Sequence, residues 1–101
     1  MATMRLTTVD LSPMEQQQVE AALGARYEWV DADDPEADVV ISGGSPDDLE
    51  AIGHRFPQRA RVWVCDAEEG LHILGRGQVA HEVLVRPMQF EAIADTVAQA
   101  R

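Results

Sequence analysis

The stretch H-E-V-L-V-R-P-M-Q-F-E-A-I-A-D-T-V-A-Q-A-R, residues 81–101, carries the reading of the fold. Val83, Leu84 and Val85 form a short apolar run of strand character that meets Arg86-Pro87, and an amphipathic helix follows. In that helix Phe90, Ile93, Ala94, Val97 and Ala98 fall at i, i+3, i+4, i+7 and i+8. This spacing places all five on one helical face, ready to cover an apolar surface.

Upstream, strands and helices alternate. Arg5 to Val9 reads as a first strand ending at Asp10. Ser12 at N-cap, Pro13 at N1 and Glu15 at N3 then spell a capping box. Val19, Ala22 and Leu23 give that helix a buried stripe, and Gly24 is suited to its stop. Arg26 to Asp31 alternates as a strand with Tyr27 and Trp29 on one face, and the acidic loop Asp31 to Glu36 follows. An exposed Trp29 on an edge strand would mark a contact surface; Trp63, inside a strand, reads as core.

Asp38 to Ser42 is largely a continuous apolar run, the pattern of a strand buried on both faces. Gly43-Gly44 breaks it, Ser45-Pro46-Asp47-Asp48 repeats the cap, proline and N3-acid formula, and Leu49, Ile52 and Phe56 continue at helical spacing up to Pro57. Arg61 to Cys65 is another buried strand, followed by the polar Asp66 to Gly70. Leu71 to Gly77 reads equally as a helical turn or a short strand. The alternation predicts one domain over residues 1–101, a parallel sheet with helices on both faces. Such sheets bind ligands beyond the carboxyl ends of their strands. The residues placed there are Asp10, Ser42, Gly43, Asp66 and Arg86.

Eighteen acids oppose eight bases, a formal net charge of -10, and every base is arginine. A surface so acidic repels nucleic acid and anionic membrane and favours a basic protein partner. The lone Cys65, within Val62-Trp63-Val64-Cys65, reads as a buried thiol with no intrachain disulfide. No stretch approaches the ~20 apolar residues of a membrane span, and the first residues lack a signal-peptide apolar core. A cytoplasmic location is expected.

No motif for chemistry stands out. Asp31, Asp33, Asp34, Glu36 and Asp38 lack the spacing of a calcium loop, and read as a solvated loop or a docking patch for a basic partner. His54, His72 and His81 share no ligand spacing. Neither a metal nor a cofactor is expected. Ser42-Gly43-Gly44-Ser45 precedes a helix as a phosphate cradle does, but Asp47 and Asp48 already occupy the helix dipole. No serine or cysteine stands in a nucleophile–base arrangement, so an enzyme is not expected.

The A-D-V-V-I-S, V-W-V-C-D-A and V-L-V-R-P strands, with the order of elements, resemble the receiver domain of bacterial response regulators over nearly the whole chain. The resemblance implies an α/β, flavodoxin-like, doubly wound sheet of five parallel strands in the order 2-1-3-4-5, with an abbreviated fourth helix. Working receivers carry an acidic pair after strand one and a phosphorylatable aspartate after strand three. They also have Ser or Thr after strand four and a lysine before proline after strand five. Here the matching positions hold Asp10 followed by Leu11 and Ser12, Gly43 (or Ser42 one residue earlier), Asp66, and Arg86-Pro87; Val83 stands at the aromatic position of strand five.

The expectation is therefore a degenerate receiver in bacterial signalling or transcriptional regulation that is not phosphorylated. It would act through a protein partner or a homodimer, as a stand-alone adaptor or a module of a longer regulator. The resemblance places the contact surface around Leu84, Met88, Phe90 and Ile93. At the switch point, Asp10 with Asp66 could form a facing carboxylate pair that holds a cation or pairs with Arg86; the reading preferred is a retained salt bridge, with Arg86 as the basic partner, in place of phosphate chemistry. The alternative is a small-ligand sensor, with a pocket over Ser42 to Ser45 and Arg86 holding an anionic metabolite or nucleotide.

Overall fold

The computed structural model describes residues 4–66, 80 and 82–99, with the backbone alone for Ala25 and Phe90. Strand β1 spans Arg5–Val9, helix α1 Pro13–Leu23, β2 Glu28–Trp29, β3 Val39–Ser42, α2 Pro46–Arg55, β4 Ala60–Cys65, β5 Glu82–Val85 and α3 Phe90–Gln99. Every strand pairing is parallel, and the sheet order is β2-β1-β3-β4-β5. The expected order and doubly wound architecture are present. The segment expected to hold an abbreviated helix before β5 lies outside the described residues.

Both capping boxes form. Ser12 Oγ accepts from the Glu15 amide while Glu15 returns a carboxylate to the Ser12 amide, and Ser45 and Asp48 do the same for α2. Each box satisfies two of the amides that a helix start leaves unpaired. The strand expected over Arg26 to Asp31 shrinks to Glu28–Trp29, because Gly24–Arg26 extends α1 by a 3-10 turn. Trp29 is half-buried against the core, so it does not form the exposed edge surface weighed from the sequence.

Strand pleating sorts the core into two faces. Leu6, Val39, Ile41, Val62, Val64 and Leu84 point to one side and pack with Val19 and Leu23 of α1 and Ile93 and Val97 of α3. Trp63 and Cys65 point to the other side, where Leu49 of α2 meets them. Trp63 and Cys65 are buried as expected. On that second face Gly53 leaves the space that the Arg61 guanidinium fills: a Cβ there would stand 2.1 Å from Arg61 Nη1.

The contact surface expected at Leu84, Met88 and Ile93 is corrected here. Their exposures are 3%, 8% and 0%, because β5 turns this side onto α3 and the three residues belong to the main core. The Phe90 side chain lies outside the described residues. Strand alternation instead sends Val83 and Val85 outward, at 37% and 45% exposure.

The β2–β3 connection contains no helix. It is held by Arg59, a side chain only 4% exposed that precedes β4. Its Nη1 donates to the Ala32 carbonyl at 2.9 Å and its Nη2 to the Asp34 carbonyl, while its guanidinium stacks on Phe56, 3.9 Å from the ring centroid. Burial lowers the Arg59 pKa and the neighbouring Asp34 raises it, with burial dominant. No helix among the described residues is long and apolar enough to cross a membrane.

Candidate functional site

The carboxyl ends of β1, β3, β4 and β5 bring together Asp10, Gly43, Asp66 and Arg86, four of the residues singled out from the sequence. Asp10 takes φ +56°, in the left-handed region where a short polar side chain is tolerated better than most. This turns its carbonyl across the end of β3. A Cβ on Gly43 would stand 2.5 Å from the Asp10 carbonyl oxygen, 3.0 Å from Arg86 Nη2 and 3.1 Å from Leu11 Cδ2. Glycine is thus required by close approach, and the space a side chain would use is already filled.

Ser42, the other residue considered for this position, is fully buried, and its Oγ accepts from the Gly44 amide at 3.1 Å. The following loop is braced from below by the Trp63 indole, whose Nε1 donates to the Gly44 carbonyl at 2.8 Å. These bonds hold the β3–α2 turn closed.

Arg86 enters from the end of β5, where its amide donates to the Cys65 carbonyl at 2.8 Å and its peptide to Pro87 is cis. Its Nε lies 2.6 Å from Glu15 Oε2, and its Nη1 3.7 Å from Asp66 Oδ1. The salt bridge to Arg86 expected from the sequence forms at Asp66, and Glu15 joins it. Asp66 turns to Arg86, and Asp10 Oδ2 turns to Gly44, 2.9 Å from where a Cβ would stand. Among the described residues no cluster of three or more His, Cys, Asp or Glu side chains could hold a metal ion.

Glu15 is the site residue that sequence reasoning missed. It was legible only as the N3 acid of a capping box, and it serves that role with Oε1 while Oε2 meets Arg86. Its side chain is 16% exposed. Desolvation pushes its carboxyl up, but the Arg86 hydrogen bond, the Ser12 amide and the Arg86 charge outweigh this and hold it below the usual value.

A carboxyl lowered in the folded state adds stability above its unfolded pKa, about 4.3 for glutamate, and that stability disappears as pH falls through the folded value. Glu15→Gln is expected to cost about 1.5–2 kcal/mol near neutral pH, at the low end for a hydrogen bond to a charged group because the amide oxygen can still accept. Denaturant melts at a series of pH values check this: the gap between the two proteins should close on going well below pH 4.

No family model matches the sequence, and no curated protein does. Solved structures do match. The signal receiver domain of an HD domain-containing protein from Pseudomonas fluorescens Pf-5 is 19% identical with a TM-score of 0.80, over 99% of this chain and 88% of that one. The chemotaxis response regulator CheY4 of Vibrio cholerae is 20% identical with a TM-score of 0.77, over 99% and 100%. The N-terminal receiver domain of a response regulator from Bacteroides fragilis is 15% identical with a TM-score of 0.80, over 98% and 97%. The architecture is therefore the flavodoxin-like doubly wound sheet. Within that class it is the CheY-like receiver fold.

Proposed function

We propose that this chain is a receiver-like signalling module that works without phosphorylation, through contact with a protein partner. The observation that carries the reading is the filled space over Gly43. The position at the end of β3 where the fold would present a phosphoacceptor has no side chain, and the Asp10 carbonyl and Arg86 guanidinium leave no room for one. Arg86, which in a working site would face a phosphoryl group, lies against Glu15 and Asp66. A carboxylate at Asp66 would also repel that group. The ion pairs supply fixed internal charge where phosphorylation would supply a switchable one.

The geometry gives the ligand-sensing alternative no comparable support. The turn over Ser42 to Ser45 is closed by the Trp63 and Ser42 hydrogen bonds, and an anion would have to compete with Glu15 for Arg86. A regulatory domain without catalytic activity, working in the cytoplasm, completes the proposal.

Incubation with acetyl phosphate and magnesium followed by intact-mass measurement tests it. The expected result is unmodified protein. A phosphoryl adduct on Asp10, Asp66 or any other carboxylate would overturn the reading.

A further inference from the structure

The helix-free β2–β3 connection leaves an open cleft on the second face of the sheet, of about 270 Å³. Val9 and the buried Val40 form its floor, Ala51, Ile52 and Phe56 of the α2 side form its wall, and Asp33 stands at its rim. A dry cavity of ~150 Å³ accepts benzene, so this volume suits a leucine- or phenylalanine-sized group. The surroundings state the charge of what brings that group. Asp31, Asp33 and Glu36 are exposed along the connection, and the chain as a whole carries a formal charge of -10.

Arg55 and Arg59 also line the cleft, and both are already engaged. Arg59 is buried with its Nη atoms on loop carbonyls, and Arg55 is answered by Asp33 at 3.2 Å. That ion pair is exposed, 65% for Arg55 and 80% for Asp33, so it is weak and an incoming cation can exchange with Arg55.

We propose that this cleft is the docking site for a basic peptide segment of a partner protein, which inserts one large apolar side chain over Val9 and sets flanking Lys or Arg side chains against Asp33 and its acidic neighbours. Apolar burial supplies the anchor, and the acidic loop steers and selects it. The inference rests on the reading of a domain that acts through protein contact and names the surface and the chemistry of the partner.

The test is selection from a random-peptide phage library on the intact chain, followed by NMR titration with the synthesised consensus peptide. A consensus of one large apolar residue flanked by Lys or Arg is expected, with saturable shifts at Val9, Ala51, Ile52 and Phe56. Ala51→Met, uncharged and compatible with a helix, fills the cleft and should weaken binding at least about tenfold. Asp33→Asn should weaken it less and flatten its salt dependence. Thermal melts confirm that both variants fold. No consensus, an acidic consensus, or affinity undiminished by Ala51→Met would overturn the docking site while leaving the phosphorylation reading intact. A phosphoryl adduct would do the reverse.

Discussion

Replacing Arg59 by methionine is expected to destabilise the fold by about 2–4 kcal/mol, among the larger effects available to a single side chain here. Methionine keeps the length and the contact with Phe56 but removes the guanidinium. The Ala32 carbonyl then loses the guanidinium as donor, and the Asp34 carbonyl keeps the Ala37 amide at 3.2 Å, in a connection that has no helix of its own. Each hydrogen bond to a charged donor contributes about 1.5–3 kcal/mol, and the stacked cation about another 0.5–2. Relief of the desolvation that lowers the Arg59 pKa offsets part of the loss. Thermal melting should fall by about 10 °C or more for a domain of this size. Amide exchange should accelerate first in residues 31–37, before the sheet is affected. A variant that melts with the parent would show that the connection is held by something else.

The second large effect concerns the two adjacent glycines after β3. Gly43→Ala is expected to cost about 2–3 kcal/mol, because the nearest obstruction is the Asp10 carbonyl at 2.5 Å, part of the backbone, and cannot swing aside. The β1–α1 turn would have to move, carrying Glu15 and its pair with Arg86. Gly44→Ala meets the carboxylate ends of Asp48 and Asp10 at 2.8 and 2.9 Å; the Asp10 end can rotate away, while Asp48 Oδ2 would have to give up its bond from the Ser45 amide. Removing a glycine also restricts the unfolded chain, which favours the folded state by about 0.4–1 kcal/mol and offsets part of the disturbed cap, so Gly44→Ala should cost about 1 kcal/mol or less. Urea melts of the two variants decide the matter. Equal costs at both positions would contradict the filled space over Gly43.

Much of the fold was legible because local signals agreed with one another. Ser12 and Ser45 each opened a helix with proline and an N3 acid behind them, and the unbroken runs at Val39 to Ile41 and Val62 to Cys65 became the central strands. The site was legible in part. Asp10, Gly43, Asp66 and Arg86 could be placed at strand ends from topology, and a salt bridge to Arg86 could be expected there, but its shorter contact, to Glu15, could not. Glu15 lies 71 residues from Arg86, and a capping acid at N3 has one oxygen committed locally, so nothing in its neighbourhood announces a distant partner.

The error at Leu84, Met88 and Ile93 has a physical origin. An edge strand followed by a helix that packs back on it buries alternate residues, and Leu84 fell on the inner side with Ile93 above it. The alternation Val83-Leu84-Val85 left open which side faced outward, and placing the surface by resemblance set that question aside. Arg59 carried no sequence signal beyond a charge directly before an apolar strand. Its role follows from the missing helix between β2 and β3, visible only once the sheet is assembled.

The central claim is that the carboxyl end of this sheet is closed to phosphoryl chemistry by its own residues. Two-dimensional amide NMR of the intact protein with magnesium and beryllofluoride, a mimic of the bound phosphoryl group, tests it most directly. The expected result is an unchanged spectrum, with Asp10, Gly43, Asp66 and Arg86 at their original positions. Saturable shifts at those four residues would mean that the site opens, and would contradict the account.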